Sequence, residues 1–324
     1  MLRNNVSLAP HTTLQIGGPA DSYIEVSEES HLEEAWIFAE KQGLPLFFLG
    51  EGSNVLFSDE GYRGLVLHNA FHGRECHKRE IWAAGGENLP ALIEWTNSLG
   101  LQGMERMYGI PGTVAGAIVG NAGAYGQEIS QILRRVKVWC EGEIYELDAA
   151  DLELRYRHSR FKSERDKFII SCVLELSPGG TDLAGVSARI LQQREQKYPA
   201  GVRCPGSFFK NVLFEELPTS VRVQLPPEFV MHGKVPAGKL LEAVGANGAK
   251  AGGAGIADYH GNLLINLEAA SSRDILRLAQ VFAERVYQRF GIMLEPEIRI
   301  AAGAHLRRPE ERKTDAGRDS TIPY

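Results

Sequence analysis

The chain has 324 residues and a formal net charge of −6 at pH 7, with 44% hydrophobic and 23% charged residues. These proportions are ordinary for a globular protein, and the length is sufficient for two or three modules. The negative net charge disfavours a nucleic-acid-binding protein, because contacts to phosphates require a basic surface.

Neither membrane insertion nor metal binding is indicated by the sequence. The N-terminal segment lacks the apolar run of a signal peptide, and no stretch is apolar over the length of a bilayer span, so we expect a cytoplasmic protein. We expect a monomer by default. No CxxC or CxxH spacing occurs, which predicts reduced thiols without a disulfide framework or a metal site. The four cysteines are Cys76, Cys140, Cys172 and Cys204.

The first predicted elements alternate between strand and helix. Residues 24–70 are predicted to form strand, helix, strand, turn and strand. Ser30 and Glu33 have the spacing of a capping box, and Gly43 follows the last apolar residue of the helical stripe. A second helix is predicted over residues 89–99, and a glycine-rich stretch follows it.

The second half of the chain begins with strands and ends with helices. Residues 131–176 read as antiparallel strands with a hairpin turn at Glu141, and a helix is predicted over residues 183–196. The segment KYPAGVRCPG, rich in proline and glycine, marks a domain boundary. After Ser272, apolar residues at helical spacing predict a long helix that ends before Gly291, and a final strand follows.

Two glycine-rich loops are candidates for binding an anion. The loop GEGSN, Gly50 to Asn54, follows an apolar strand, and a longer stretch runs from Tyr108 to Ile129 with too many glycines for a stable isolated helix. Backbone N–H groups in such loops can point toward a pyrophosphate. Neither loop matches a P-loop or a GxGxxG dinucleotide fingerprint. Tight turns without a ligand are the alternative interpretation.

Three polar segments supply candidate chemical groups. The cations of RYRHSRFK form either a solvated basic face or a carboxylate or phosphate site, since guanidinium groups bind such anions in a two-pronged way. GSFFKN offers the Ser207 hydroxyl, the Lys210 cation and the Asn211 amide, although its two phenylalanines are also candidate core residues. In LEPEIRI, Glu295 and Glu297 lie two residues apart and would share one face of a strand.

Taken in order, the motifs resemble the UDP-N-acetylenolpyruvoylglucosamine reductase family. The resemblance extends from about Val6 to Ile300, and the ordered series makes it specific. The segments that carry it are HTTLQIGGPA, LGEGSNVLFSD, GIPGTVAGAIVGNAGAYG, YRHSRFK, GSFFKN, AGKLLEAVG, HGNLLIN and LEPEIRI.

The resemblance implies an α+β fold with an FAD-binding module of the vanillyl-alcohol oxidase type. That module would have two subdomains, residues 1–70 and 71–197, followed by a C-terminal α/β substrate-binding domain over residues 198–302. The charged residues 303–324 are predicted to form a flexible tail. Some members carry a long insertion with a tyrosine between the arginine and serine motifs. Strand and helix fill that interval here, so we expect this chain to lack the insertion.

The resemblance also assigns roles to individual residues. It implies Arg157 as the catalytic arginine, Ser207 as the proton donor and Glu297 as the catalytic glutamate. Lys197, Asn211 and Asn262 match positions associated with the UDP-sugar. FAD is expected to bind without covalent attachment, because the two loops contain no histidine or cysteine. The implied FAD-binding residues are Gly50, Glu51, Gly52, Ser53, Asn54, Ile110, Pro111, Gly112, Thr113, Gly116, Gly120, Asn121, Gly123, Ala124, Tyr125 and Gly126.

The implied reaction reduces UDP-N-acetylglucosamine enolpyruvate to UDP-N-acetylmuramate in peptidoglycan precursor synthesis. NADPH would reduce FAD, and the enolpyruvyl group would then receive the hydride. Arg157 and Glu297 would stabilise the anionic intermediate, and Ser207 would protonate it. An FAD oxidase of the same superfamily and a non-catalytic UDP-sugar-binding regulator are the alternatives.

Overall fold

The computed structural model describes residues 1–301, so the predicted tail lies outside the described residues. The chain forms two compact units. The first comprises residues 1–13, 18–53 and 60–202, and the second comprises residues 14–17, 54–59 and 203–301 of the described chain. The four-part division drawn from the resemblance stays a prediction.

The helices predicted after Ser30, near Leu89, near Leu183 and after Ser272 are present, and the structure adds shorter helices and strands that the sequence did not predict. The helices are α1 (Glu29–Gln42), α2 (Leu89–Ser98), α3 (Val114–Gly120), α4 (Leu183–Glu195), α5 (Thr219–Gln224), α6 (Ala237–Ala243) and α7 (Ser272–Phe290). The strands are β1 (Arg3–Ser7), β2 (Pro19–Val26), β3 (Leu46–Leu49), β4 (Val55–Phe57), β5 (Tyr62–Asn69), β6 (Arg74–His77), β7 (Glu80–Ala84), β8 (Leu101–Gln102), β9 (Gly123–Ala124), β10 (Gln127–Glu128), β11 (Leu133–Cys140), β12 (Glu143–Asp148), β13 (Phe168–Glu175), β14 (Ser177–Pro178), β15 (Val212–Leu213), β16 (Lys234–Val235), β17 (Lys250–Ala251), β18 (Ala254–Ile256), β19 (Leu264–Asn266) and β20 (Arg299–Ala301).

Two sheets form the framework of the first unit. One has the strand order β1-β2-β5-β3, in which β2 and β3 run parallel to β5. Three consecutive residues of β5, Leu65 to Leu67, are fully buried, as expected for a strand covered on both faces. The other sheet has the order β12-β11-β13-β7-β6 and is antiparallel. Its predicted hairpin turn is confirmed, with Glu141 at a φ of 50°.

Two local predictions for the first unit are corrected by the structure. The capping box at Ser30 is wrong, because α1 begins at Glu29 and the Ser30 hydroxyl donates to the Glu28 carboxylate. The glycine-rich stretch contains the short helix α3. Its first turn is capped by Thr113, whose Oγ1 accepts the Gly116 N–H at 3.2 Å, and Val114, Ala117 and Ile118 are buried. Packing therefore offsets the low helix propensity of glycine.

The second unit is built around α7. Its predicted stripe is confirmed: Ile275, Leu278, Ala279, Phe282 and Val286 are buried, and Gly291 ends the helix at a φ of 68°. The helix packs on the sheet β17-β18-β19, and β4 pairs in parallel with β20. Residues 212–236 form a hairpin of β15 and β16 that encloses α5. Among residues 1–301, no helix has both the length and the apolarity of a membrane span.

Candidate functional site

The two glycine-rich loops meet in the first unit. The Ser53 hydroxyl donates to the Pro111 carbonyl oxygen at 3.0 Å. A Cβ atom on Gly112 would lie 2.8 Å from the Ser53 Oγ, and one on Gly50 would lie 2.6 Å from the Thr113 Oγ1. Glycine at these two positions therefore allows the loops to approach each other more closely than larger residues would.

The first loop presents backbone donors to an anion. Gly52 has a φ of 65°, and a Cβ atom there would lie 2.0 Å from the His11 carbonyl oxygen. The Gly52 carbonyl accepts the Thr13 N–H at 3.2 Å. Within the described part of the chain, the N–H groups of Glu51, Gly52 and Ser53 have no protein acceptor. Consecutive N–H groups in a left-handed turn fit a phosphate group, so this loop suits the pyrophosphate of a dinucleotide.

The second loop is held from within by a buried asparagine. Asn121 is fully buried; its Oδ1 accepts the Ser130 N–H at 2.9 Å, and its Nδ2 donates to the Arg155 carbonyl at 3.1 Å. Asn121 thus supports the loop conformation. A Cβ atom on Gly120 or Gly126 would meet nothing within 4 Å. The other predicted cofactor residues on α3 or in its flanking loops are Ile110, Gly116, Ala124 and Tyr125.

Arg157 is anchored to the glycine-rich stretch. Its Nη2 donates to the Gly123 carbonyl at 2.9 Å, and Lys162 donates to the Arg157 carbonyl at 2.8 Å. Ser159, two residues further on, donates to the Val119 carbonyl at 2.7 Å. Arg157 has a φ of 53°, a strained value that is uncommon for a non-glycine residue and concentrates at functional sites. These hydrogen bonds attach the basic segment to the glycine-rich stretch, so the segment is not only a solvent-exposed basic surface.

Ser207 and Glu297 lie on two backbone segments that hydrogen-bond to each other in the second unit. The Glu297 N–H donates to the carbonyl of Phe208 at 2.8 Å, and the Lys210 N–H donates to the carbonyl of Glu295 at 2.9 Å. Both Ser207 and Glu297 are half-buried. Glu295 is 72% exposed and forms an ion pair with Lys210, so the two glutamates have different surroundings.

Asn54, the last residue of the first glycine-rich loop, hydrogen-bonds to the segment that carries Glu297. The Nδ2 of Asn54 donates to the Glu297 carbonyl at 3.3 Å, and its carbonyl accepts the Arg299 N–H at 2.9 Å. This pairing continues the parallel contact of β4 with β20. The second unit therefore brings a predicted cofactor residue, Asn54, together with Ser207 and Glu297.

The three residues predicted to contact the UDP-sugar have different environments. Lys197 is exposed just after α4 in the first unit. Asn211 is half-buried in the second unit, and its Oδ1 accepts the N–H of Ala237 at the start of α6, at 3.1 Å. Asn262 is 1% exposed and hydrogen-bonds to the backbone of Phe209. These three roles remain predictions.

Arg194 was not among the site residues predicted from the sequence. Its guanidinium lies 5.3 Å from the centre of the Tyr198 ring, and burial lowers the pKa of Arg194. A Cβ atom on Gly109 would lie 3.4 Å from the Arg194 Nε, which places this arginine beside the glycine-rich stretch. The only sequence signal that could have identified Arg194 is its position about one helical turn before the cation of Lys197.

A cluster of the buried Tyr23 with the half-buried His11 and His68 lies near the first loop and was also missed. The Tyr23 hydroxyl is 2.8 Å from the His68 Nδ1 and 3.2 Å from the His11 Nδ1. Burial lowers the pKa of both histidines and raises the pKa of Tyr23. The His11 carbonyl lies close to Gly52, so this cluster adjoins the first loop.

Comparison with known proteins accounts for both units. Residues 196–301 match the UDP-N-acetylenolpyruvoylglucosamine reductase C-terminal domain, and residues 20–148 match an FAD binding domain. The chain is 39% identical over 292 residues to UDP-N-acetylenolpyruvoylglucosamine reductase from Solibacter usitatus, covering 90% of this chain and 94% of the relative. The chain belongs to this reductase family.

Other members of the UDP-N-acetylenolpyruvoylglucosamine reductase family also match most of the chain. The enzyme of that name from Synechococcus sp. strain JA-3-3Ab is 38% identical over 305 residues, covering 92% of this chain and 91% of the relative. The crystal structure of the Thermus caldophilus reductase matches with a TM-score of 0.73 and 28% identity, covering 93% of this chain and 100% of that chain. The predicted family is confirmed, and so is the α+β fold, with its FAD-binding module and C-terminal domain.

Proposed function

We propose that this reductase uses NADPH to convert UDP-N-acetylglucosamine enolpyruvate into UDP-N-acetylmuramate, a step of peptidoglycan precursor synthesis. The observation that supports this most directly is the contact of Asn54 with Glu297, on a segment bonded to the one that carries Ser207. A residue of the proposed cofactor loop, a hydroxyl group and a carboxyl group are therefore carried by segments that bond to one another, which suits reduction of a carbon–carbon double bond.

FAD would be held by residues 50–54 and 110–126. The N–H groups of Glu51, Gly52 and Ser53 would bind a phosphate, and the Ser53 hydroxyl joins this loop to the second loop at Pro111. Neither loop contains a histidine or cysteine, so the attachment is non-covalent. When bound, FAD supplies hydride transfer, from NADPH to the terminal carbon of the enolpyruvyl group.

Arg157 would stabilise the charge that develops on the substrate. Addition of hydride to the terminal carbon leaves an electron pair on the adjacent carbon, and this charge spreads into the carboxylate. A planar guanidinium matches a carboxylate in a two-pronged way, and the bond to Gly123 fixes its orientation. Pre-organised donors of this kind lower the barrier by stabilising the transition state. Glu297 would act with Arg157 on the same group.

Ser207 would complete the reaction by protonating the carbanionic carbon. A neutral hydroxyl is a weak acid, but the intermediate is strongly basic, so the position of the hydroxyl matters more than its acidity. Lys197 and Asn211 would bind the UDP moiety. The exposed ammonium group of Lys197 suits a phosphate as a mobile point charge.

The test is NADPH consumption by purified, FAD-loaded protein with and without UDP-N-acetylglucosamine enolpyruvate. We expect consumption only when substrate is present, with one product molecule formed per NADPH and a mass increase of two hydrogen atoms. Oxygen consumption without conversion of the substrate would instead indicate an oxidase. Substrate binding without turnover would indicate a regulator and would contradict the proposal.

A further inference from the structure

The side-chain amide of Asn262 hydrogen-bonds to the backbone of a single residue, Phe209. Its Oδ1 accepts the Phe209 N–H at 2.9 Å, and its Nδ2 donates to the Phe209 carbonyl at 2.8 Å. This pair of bonds reproduces the pattern that a neighbouring strand would offer to Phe209. At 1% exposure, the Asn262 side chain presents almost no surface to a ligand.

The backbone of Asn262 extends the same contact toward Glu297. Its carbonyl accepts the Phe208 N–H at 3.0 Å, while the Phe208 carbonyl accepts the Glu297 N–H at 2.8 Å. Phe208 and Phe209 are buried to 0% and 1% exposure, so neither can shift without disturbing the core. Ser207 directly precedes this doubly bonded pair, and Glu297 is bonded to it.

We propose that Asn262 is a positioning residue that fixes Ser207 relative to Glu297, and that it does not contact the UDP-sugar. The inference rests on the function proposed above. Without its amide, the buried N–H and carbonyl of Phe209 lose their partners, and the segment must move to satisfy them. A displacement of about 1 Å of a reacting group is sufficient to cost roughly 10²-fold in rate.

The chain offers a matched control four residues away. Asn266 is also buried, at 5% exposure, and its amide also bonds only to backbone: its Nδ2 donates to the carbonyls of Leu14 and Gln15 at 3.0 and 3.4 Å, and its Oδ1 accepts the Ala270 N–H at 3.0 Å. These bonds do not involve the segment that carries Ser207. Asn262→Ala and Asn266→Ala therefore each remove a buried amide that donates to and accepts from backbone groups, and Asn266→Ala should lower the melting temperature at least as much as Asn262→Ala.

The two variants should differ in the step that needs Ser207. In Asn262→Ala, anaerobic reoxidation of the reduced flavin by the enolpyruvyl substrate should slow by roughly 10²-fold, while reduction by NADPH keeps its wild-type rate and KM for the UDP-sugar changes little. Asn266→Ala should keep both rates. Asn262→Ser, which keeps a small uncharged polar side chain beside Phe209, should fall between wild type and Asn262→Ala and covers the case in which the alanine variant fails to fold.

Several results would overturn this role. A rise in KM with unchanged kcat in Asn262→Ala would make Asn262 a substrate ligand, and equal slowing in both alanine variants would indicate a general loss of stability. If the wild type itself is not reoxidised by this substrate, the proposed function fails. Amide hydrogen exchange of Phe208 and Phe209 then decides the positioning role by itself. Faster exchange in Asn262→Ala but not in Asn266→Ala supports it, and equal exchange contradicts it.

Discussion

Replacement of Gly52 by alanine tests the first glycine-rich loop. Gly52 has a φ of 65°, and the added Cβ atom would lie 2.0 Å from the His11 carbonyl oxygen and 2.8 Å from the Thr12 Cα. Both neighbours are backbone atoms, so the loop itself must move. That movement would displace the N–H groups proposed to bind the FAD pyrophosphate.

Gly43 provides the reference for the size of the effect. It has a φ of 64°, but a Cβ atom there meets nothing within 4 Å. Gly43→Ala should therefore lower the free energy of unfolding only by the cost of placing alanine in a left-handed conformation, roughly 1 to 2 kcal/mol. Gly52→Ala carries the same cost together with an overpacking term of roughly 1 to 3 kcal/mol, which gives a total of about 2 to 5 kcal/mol.

The two variants are compared by urea unfolding without FAD and by titration with FAD, followed by quenching of flavin fluorescence. Gly52→Ala should lose more stability than Gly43→Ala and should bind FAD at least about tenfold more weakly, which corresponds to roughly 1.4 kcal/mol. Gly43→Ala should keep the wild-type affinity. Equal stabilities and equal affinities in the two variants would refute the loop's assigned role.

Three further predictions follow from the structure. Arg157→Lys keeps the charge but loses the two-pronged geometry, so steady-state kinetics should show a larger loss in kcat than rise in KM; the reverse would assign Arg157 to ground-state binding. Burial lowers the pKa of His68 below 6.5, so the stability it contributes is present above about pH 6.5 and is lost as the pH falls. Thermal unfolding from pH 7.5 to 5.5 should show a weaker pH dependence in His68→Asn than in wild type, whereas the exposed-site control His77→Asn should match wild type. Asp59→Ala removes the acceptor of the Ser272 N–H at 2.9 Å and should cost about 1 to 2 kcal/mol in urea unfolding; no change would show that α7 does not depend on this cap.

The parts of the fold with strong local signals were predictable from the sequence. In α7, the apolar residues from Ile275 to Val286 repeat at helical spacing, and Gly291 provides the left-handed end. The hairpin at Glu141 likewise depends on adjacent residues. The ordered motifs placed the candidate residues, because a family resemblance preserves positions in the chain even where no local pattern explains their roles.

Contacts between distant residues were not predictable. Asn262 and Phe209 are 53 positions apart, and Tyr23 and His68 are 45 apart, so no periodicity connects them. The misplaced cap at Ser30 has the same physical origin. Its sequence spacing is suitable, but the helix begins two residues earlier, at Glu29, and the serine hydroxyl bonds to a neighbouring carboxylate instead. Side-chain polar contacts depend on the assembled fold, whereas helical stripes do not.

Stopped-flow measurement of the two half-reactions in Ser207→Ala tests the central claim most directly. Because no proton is needed from Ser207 when NADPH reduces the flavin, bleaching of the flavin absorbance should proceed at close to the wild-type rate. Anaerobic reoxidation by UDP-N-acetylglucosamine enolpyruvate should slow by on the order of 10² to 10⁴, the usual contribution of a positioned proton donor. Reoxidation at the wild-type rate would contradict the account and make Glu297 the candidate donor.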